Sequence, residues 1–268
     1  MNTISFMTAN YVARELGYTM TGGWGQGDRA TQAAFQPVAT FGERFGAVLA
    51  GIVGLGFGAV DLWTAHLNPA WATPEQIATA RELLAHHGLP VVSLAGWFGS
   101  TLAELEQTCA LAAALGCRIL GGSTSALEKD RAGALELLER YDLVLALENH
   151  PEKTPAELLA KVGAGHGGRL AACVDTGWFA TQGYDAARAI EELGPAIAHV
   201  HLKDVLAAGA HNTCAYGEGV VPLEACVRAL GRIGYTGGIS VEHEPEHESP
   251  DEAARAGLAL LRGWLAGP

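Results

Sequence analysis

The sequence has little positive charge. It contains 17 lysine and arginine residues against 29 aspartate and glutamate residues, for a formal net charge of −12. Proteins that bind the phosphate backbone of nucleic acids usually carry a basic face. Binding of nucleic acid is therefore not expected to be the main task of this chain. The excess of carboxylates favours a cation as a partner instead.

Cysteines and long apolar runs are also scarce. The five cysteines include no C-x-x-C pair, which argues against a disulfide scaffold or a zinc finger and favours a cytoplasmic location. The apolar run 47–60 is broken by glycines and is too short to cross a bilayer, so we expect no membrane partner. The start, MNTISFMTAN, lacks the basic residues and long apolar core of a signal peptide.

Short apolar runs alternate with segments of helical periodicity along the chain. This alternation is typical of a parallel sheet covered by helices. Patterns of the form S/T-x-x-E/Q, which cap helices, begin at Thr73, Thr101, Thr154 and Ser249. The predicted strands span residues 3–7, 59–63, 90–94, 118–121, 143–148, 170–175, 197–203 and 238–244.

These units predict an α/β fold, a single (β/α)8 TIM barrel that occupies residues 1–268 as one domain. The alternative is an open doubly wound sheet. No G-x-G-x-x-G opens a helix directly after the first strand, which weakens that alternative. Two long segments, 17–36 and 205–221, follow strands and are predicted as loops at the active face of the barrel, either lids or simple excursions.

Residue types that bind metals end four consecutive predicted strands. They are Glu148, Asp175, His201 and Glu242. The carboxyl ends of barrel strands meet on one face, and three carboxylates that close would repel one another unless a cation lay between them. The alternative is a buried salt-bridge cluster with Lys203, which period-two alternation places on the same side of its strand as His201.

The segments LENH, VDTG, HLKD, GEG and GGISVE resemble the sugar phosphate isomerase/epimerase superfamily of xylose isomerase-like TIM barrels. This superfamily includes ketohexose 3-epimerases and inosose isomerases and dehydratases, and the resemblance covers essentially the whole chain. It implies that Glu148, Asp175, His201 and Glu242 hold one divalent metal ion, and that Glu148 and Glu242 are also the catalytic acid and base.

The resemblance further implies an isomerase or epimerase of a sugar-like α-hydroxyketone or a polyol-derived ketone, with proton transfer through an enediolate held by the metal. Three oxygen ligands and one imidazole suit Mn²⁺ and tolerate Zn²⁺, Co²⁺ or Mg²⁺. A metal-dependent lyase is the main alternative, because loss of water or a C-glycoside-type β-elimination shares the first proton abstraction. A non-catalytic metal- or sugar-binding barrel is a further alternative.

The chain departs from the pattern at Trp178, where many superfamily members have a histidine. Indole cannot ligate a cation, and the third predicted strand ends in VVSLAG without histidine. Both features argue against the multi-metal DNA-repair branch of the superfamily. Trp178 could be a wall against which a sugar stacks, or a core aromatic under the rim.

Four other side chains are predicted substrate contacts: His150, Lys203, His66 and Trp24. His150 lies two residues past Glu148 and could also act as a base, and each histidine could instead be a surface or capping residue. Few cations lie near the predicted mouth, and Glu218 between Gly217 and Gly219 would repel an anion. We therefore expect a small, unphosphorylated sugar or polyol as the substrate. The sequence leaves open whether the chain forms a homo-oligomer.

Overall fold

The computed structural model describes residues 2–267. The strands in this range are Thr3–Met7 (β1), Val60–Trp63 (β2), Val91–Trp97 (β3), Ile119–Ser123 (β4), Val144–Glu148 (β5), Leu170–Asp175 (β6), Ile197–Val205 (β7), Thr213–Cys214 (β8) and Gly238–Glu242 (β9). The α-helices are Trp24–Phe35 (α1), Val38–Gly54 (α2), Pro74–His87 (α3), Leu102–Leu115 (α4), Ala126–Lys129 (α5), Arg131–Arg140 (α6), Pro155–Val162 (α7), Thr176–Thr181 (α8), Ala186–Leu193 (α9), Leu223–Arg232 (α10) and Asp251–Ala266 (α11).

The strands close into a parallel barrel. Strands β1 to β6 pair in sequence order, β6 pairs with β7, β7 with β9, and β9 with β1. Strand β8 pairs antiparallel with the end of β7 and is not part of this ring. The eight-stranded ring confirms the predicted (β/α)8 barrel and rules out the open sheet.

Three of the four predicted helix caps are present. Thr73 and Thr101 each form a complete capping box with the residue three positions on. The Thr154 hydroxyl also accepts a hydrogen bond from a first-turn N–H group. Ser249 is not the N-cap residue, because Pro250 takes that position in α11, and the Ser249 hydroxyl instead accepts a hydrogen bond from the Asp251 N–H group at 3.4 Å.

The segment 17–36 is not the long loop that its glycines predict. Residues Trp24–Phe35 form helix α1, whose buried face includes Gly27, Thr31 and Phe35. A Cβ on Gly27 would lie 2.3 Å from the Val12 carbonyl oxygen, so glycine at this position permits close packing rather than a turn.

The interior of the barrel is unusually polar. Branched apolar side chains usually fill TIM barrels, whereas here Ser5 and Ser240 share a 2.7 Å hydrogen bond and the Ser240 hydroxyl donates to Asp61 at 2.8 Å. A Cβ on Gly121 would lie 2.8 Å from the Ser93 Oγ atom, so glycine leaves room at this level. The apolar core lies outside the ring, between strands and helices.

No helix in the described part of the chain is both long and apolar enough to cross a membrane.

Candidate active site

The four predicted metal ligands lie together at the carboxyl-end face of the barrel, which we call the mouth. Asp175 pairs with His201 in the sheet register, and Glu242 pairs with Lys203. The Glu148 side chain is 21% exposed, and those of Asp175, His201 and Glu242 are 5% exposed or less. The structure thus brings these residues to one site, while their role as metal ligands stays a prediction.

Lys203 enters this site from β7. Its Nζ atom lies 3.0 Å from Asp175 Oδ2, 2.9 Å from Glu242 Oε1 and 3.1 Å from Glu244 Oε2. A Cβ at position 177 would lie 2.8 Å from the Lys203 stem, so Gly177 of the VDTG segment lets the lysine pass beside the strand end. The predicted partnership of Lys203 with carboxylates is therefore present.

The His201 ring lies among three carboxylates. Its Nδ1 atom lies 2.7 Å from Glu148 Oε1 and 3.6 Å from Glu242 Oε2, and its Nε2 atom lies 3.1 Å from Asp61 Oδ2. Burial disfavours the charged ring and by itself would lower the pKa of His201. The acidic groups around the ring outweigh burial and hold that pKa well above its usual range. Burial would raise the pKa of the Asp61 carboxyl, but the neighbouring rings of His199 and His201 outweigh burial and lower that pKa.

The charges at the mouth do not balance. Five carboxylates face one lysine and two histidines, so two negative charges would remain with all five carboxylates ionised and both rings protonated. Buried charge without compensation is costly. We call this set the acidic cluster: Asp61, Glu148, Asp175, Glu242, Glu244, His199, His201 and Lys203.

Three buried oxygens of the acidic cluster lack hydrogen-bond partners within residues 2–267: Asp61 Oδ1 and one oxygen each of the proposed ligands Asp175 and Glu242. Asp175 Oδ2 and Glu242 Oε2 accept no hydrogen bond from any residue in the range 2–267. Lys203 Nζ is close enough to Asp175 Oδ2 for an ion pair, at 3.0 Å, but it approaches outside hydrogen-bonding geometry. Because buried polar atoms are normally satisfied, the oxygens of Asp175 and Glu242 favour a cation between them over the salt-bridge cluster with Lys203 alone.

The two glutamates titrate in opposite directions. Burial, only partly offset by Lys203 and His201, raises the pKa of Glu242 to about 8. Burial also acts on Glu148, but the facing His201 and Lys203 outweigh it and lower the pKa of Glu148. Burial raises the pKa of Asp175 as well, against the attraction of Lys203. In the metal-free protein, one glutamate is therefore an ionised base and the other a potential acid.

Two groups of three ligand-type side chains within residues 2–267 hold their donor atoms within 4.8 Å of one another. One is Asp61, His199 and His201, in which Asp61 Oδ2 already accepts hydrogen bonds from both rings at 2.6 and 3.1 Å. The other is Glu148, Cys173 and His201. Burial raises the pKa of Cys173 to about 12, which keeps it a thiol, whereas a metal ligand must be a thiolate.

The predicted quartet suits a divalent cation by its donor types, although within residues 2–267 its four donor atoms do not all lie within 4.8 Å of one another. It offers three carboxylates and one imidazole, a donor set that suits Mn²⁺ or Zn²⁺. It also contains two of the three unpartnered oxygens, those of Asp175 and Glu242. A cation there would supply the positive charge that the acidic cluster lacks.

Trp178 forms one wall beside this quartet. Its backbone N–H donates to Asp175 Oδ1 at 3.0 Å, and its ring centroid lies 3.8 Å from that of His150 and 4.9 Å from that of His211. His150 and His211 are exposed and Trp178 is half-buried. The ring therefore lies at the rim of the mouth, where the predicted substrate contacts of Trp178 and His150 stay predictions.

Trp24 closes the other side of the mouth. Its Nε1–H group donates to Glu244 Oε1 at 2.9 Å, and its ring packs 5.2 Å from that of Trp63. His66 lies behind Trp63, with ring centroids 5.5 Å apart. Burial lowers the pKa of His66 to about 3. Within the described range, its ring nitrogens bond to no residue of the acidic cluster, so a substrate contact by His66 stays a prediction.

The segment 205–221 is tied down by a carboxylate. The Asp204 side chain accepts hydrogen bonds from the backbone N–H groups of Gly217, Gly219 and Val221 at 3.0 to 3.2 Å. Asp204 thus fills the glycine-rich nest that could otherwise hold an anion.

Sequence reasoning gave too little weight to three residues of the site. Asp61 is the charged residue of an otherwise apolar, buried strand, and a buried carboxylate of this kind indicates a polar partner. Asn149 exchanges two hydrogen bonds with the Asp175 backbone, at 2.7 and 3.0 Å, and belongs to the LENH segment. His211 reaches Trp178 from a turn, and no local pattern predicts that contact.

A comparison with protein families matches most of this chain. The model of the family described as xylose isomerase-like TIM barrel matches residues 49–264. No curated protein matches the sequence significantly.

Solved structures resemble the chain at low sequence identity. The IOLI protein with a bound zinc atom is 14% identical, with a TM-score of 0.71 over 98% of both chains. A D-tagatose 3-epimerase-like protein is 20% identical, with a TM-score of 0.67 over 81% of this chain and 91% of that chain. The probable 3-DHS dehydratase AsbF of Bacillus anthracis, involved in petrobactin synthesis, is 15% identical, with a TM-score of 0.67 over 98% and 99%. At these identities the likeness shows the fold.

Proposed function

The chain belongs to the xylose isomerase-like TIM barrel family, and from this premise we propose that it is a divalent-metal-dependent isomerase or epimerase. Its substrate would be a sugar-like α-hydroxyketone or a polyol-derived ketone. The observation that carries the proposal is the acidic cluster, with its excess of carboxylates and the unpartnered buried oxygens of Asp175 and Glu242. The similar structures include an epimerase-like protein and a zinc-bound protein, which supports the same class of chemistry.

Glu148, Asp175, His201 and Glu242 would hold the metal ion, with Mn²⁺ as the first choice and Zn²⁺, Co²⁺ or Mg²⁺ as alternatives. When bound, a divalent cation polarises the oxygens of a hydroxyketone and lowers the pKa of the C–H bond beside its carbonyl. The chain itself supplies the groups that move the proton.

Glu148 and Glu242 would act as the base and the acid. The pKa of Glu148 is lowered and that of Glu242 is raised to about 8 in the metal-free protein. These shifts describe the metal-free protein, because a carboxylate that ligates a cation is ionised. The relay itself needs one group that removes a proton and another that returns one. Return to the opposite face of the same carbon gives an epimer, and return to the neighbouring carbon gives an isomer.

A lyase is the second candidate, because the same first proton abstraction can be followed by loss of a substituent from the neighbouring carbon. His150 favours it, since its exposed ring lies at the rim against Trp178 and could assist a leaving group. A probable dehydratase is among the similar structures. The products separate the candidates: an isomer keeps the substrate mass, whereas a lyase product loses water or an aglycone.

The substrate is proposed to be unphosphorylated. Lys203 is engaged by three carboxylates, and the backbone N–H groups of Gly217 and Gly219 are taken by Asp204. A phosphate group would find no free cation at these positions. Turnover of a sugar phosphate more than a hundredfold better than that of the free sugar would contradict this part of the proposal.

The test combines metal analysis with proton exchange. Purified protein reconstituted with Mn²⁺ should hold about one ion per chain and should wash deuterium from D₂O into one member of a panel of free ketoses and keto-polyols. Asp175→Asn should lose the ion and the exchange. Glu136→Gln, which changes an exposed acid on α6, is the matched control and should retain both.

Each outcome has a distinct meaning. Metal binding without exchange across the panel would favour the non-catalytic binding barrel. Loss of mass in the product would favour the lyase. No bound ion in the reconstituted wild-type protein would overturn the proposed site.

A further inference from the structure

Asp61 lies one layer below the four proposed metal ligands, inside the barrel. It ends no strand, because β2 continues to Trp63, and its side chain is fully buried. Its Oδ2 atom accepts hydrogen bonds from His199 Nε2 at 2.6 Å, from Ser240 Oγ at 2.8 Å and from His201 Nε2 at 3.1 Å. One oxygen thus collects three donors from β7 and β9.

Only one of these donors belongs to a proposed ligand. The His201 ring has Asp61 on its Nε2 side, and Glu148 and Glu242 on its Nδ1 side at 2.7 and 3.6 Å. An ionised carboxylate only accepts hydrogen bonds, so the nitrogen that faces Asp61 must carry a hydrogen. The nitrogen that can give up its hydrogen for a cation is then Nδ1, which faces the other proposed ligands.

We propose that Asp61 is a positioning residue, which holds the Nε2–H group of His201 and thereby makes Nδ1 the metal-ligating nitrogen. The inference rests on the proposed metal site. Carboxylates that orient ligating histidines in this way typically change metal affinity 10- to 100-fold when they are removed. Asp61 would act through His201, without touching the metal or the substrate.

The surroundings of Asp61 favour orientation over direct ligation. Its second oxygen, Oδ1, is buried and has no hydrogen-bond partner within residues 2–267. All of its donors therefore converge on Oδ2, the oxygen that faces His201. The perpendicular His199 ring, 5.2 Å from the His201 ring at 85°, limits rotation of His201 from below.

The decisive variant is Asp61→Asn, which keeps the shape of the side chain and removes its charge. The asparagine amide can present either its NH₂ group or its oxygen to Nε2, so it no longer fixes the hydrogen of His201 on that nitrogen. Ser240→Ala is the matched control, because it removes a donor to the same oxygen (Oδ2) without touching the His201 ring.

Two readouts test the proposal. The first is the Zn²⁺ affinity of each protein, measured by competition with a chelator. We expect about 10- to 100-fold weaker binding for Asp61→Asn and a change below about threefold for Ser240→Ala. The second is the ¹⁵N NMR spectrum of histidine-labelled, Zn²⁺-loaded protein, in which His201 should keep its hydrogen on Nε2 in the wild type. In Asp61→Asn that hydrogen should be lost from Nε2 or move to Nδ1.

The outcomes separate the inference from the proposed function. If the wild type binds one ion and Asp61→Asn binds it as tightly with Nε2–H unchanged, the positioning role is wrong and the metal site stands. Equal weakening by Ser240→Ala would also contradict it, because a general loosening of the interior would then explain both variants. Failure of the wild type to bind Zn²⁺ would overturn the metal site and, with it, this inference.

Discussion

Two histidines are buried on different sides of the mouth, in opposite surroundings. His201 is 2% exposed and lies among carboxylates, which raise its pKa. His66 is 1% exposed and lies between the rings of Phe35 and Trp63, where burial lowers its pKa. We call the first region the acidic side, formed by β5 to β9 together with Asp61 of β2, and the second the aromatic side, formed by Trp63, His66 and helix α1.

The difference indicates that the two sides have different roles. The acidic side concentrates buried charge without full compensation, which a stable fold would avoid unless a cation belonged there. The aromatic side provides neutral, amphipathic surfaces of the kind that pack against sugars. The two sides meet where the Trp24 Nε1–H group donates to Glu244. Substitutions on the acidic side should therefore change chemistry and metal binding, and those on the aromatic side should change substrate binding and stability.

The largest effect is expected from the two proposed proton carriers. Glu148→Gln and Glu242→Gln should each reduce deuterium exchange about 10²- to 10⁴-fold, because each removes a general acid or base. Exchange rates measured by mass spectrometry under saturating Mn²⁺ check this, with Glu136→Gln as the control. Exchange within twofold of wild type in both variants would break the assignment of chemistry to the acidic side.

Lys203→Met tests the acidic side through its effect on protein stability. Removing the lysine leaves Asp175 and Glu242 without their cationic partner, which should cost about 3–5 kcal/mol of unfolding free energy in the presence of a chelator. If a cation belongs to the acidic side, Mn²⁺ should recover more stability in the variant than in the wild type. Denaturant titrations with and without Mn²⁺ measure both quantities, and equal recovery would favour a simple salt-bridge cluster.

His66→Gln tests the aromatic side by its pH dependence. The lowered pKa of His66 means that, below the usual value of 6.5, the unfolded chain binds a proton that the folded chain refuses until about pH 3. The folded state therefore loses stability as the pH falls through this window, by about 1.4 kcal/mol per unit. The slope of unfolding free energy against pH should be shallower in His66→Gln and unchanged in His86→Gln, an exposed position. Equal slopes for wild type and His66→Gln would contradict the buried, neutral state.

The smallest effect is expected where the two sides meet. Trp24→Phe keeps an aromatic ring against Trp63 and removes the hydrogen bond to Glu244. The lost hydrogen bond should lower the unfolding free energy by about 0.5–1.5 kcal/mol, and the altered wall should raise KM slightly and leave kcat nearly unchanged. A hundredfold loss of kcat would place Trp24 in the chemistry instead of in substrate binding.

Much of the fold could be predicted from the sequence because its signals are local. The apolar runs of all eight barrel strands and the capping patterns at Thr73 and Thr101 arise within a few residues of chain. The helix Arg131–Arg140 was not predicted, and the glycines of 17–36 suggested a loop. In α1 the Gly27 position reflects close packing against Val12, which is a tertiary contact.

The candidate site was predictable as far as strand ends are concerned. Glu148, Asp175 and Glu242 end their strands, and parallel strands bring such ends together. The contact of Asp61 with His201 joins residues 140 positions apart. The ring of His211 meets Trp178 through a turn. Such contacts depend on the closure of the barrel, which no short sequence pattern encodes.

The most direct test of the central claim is anomalous diffraction from crystals of the protein soaked in Mn²⁺. We predict one anomalous peak at about 2.0–2.3 Å from oxygens of Glu148, Asp175 and Glu242 and from Nδ1 of His201, with Lys203 Nζ moved away from Asp175. The account would be contradicted by the absence of a peak there while Lys203 still bridges the carboxylates, or by a peak between Asp61 and His199.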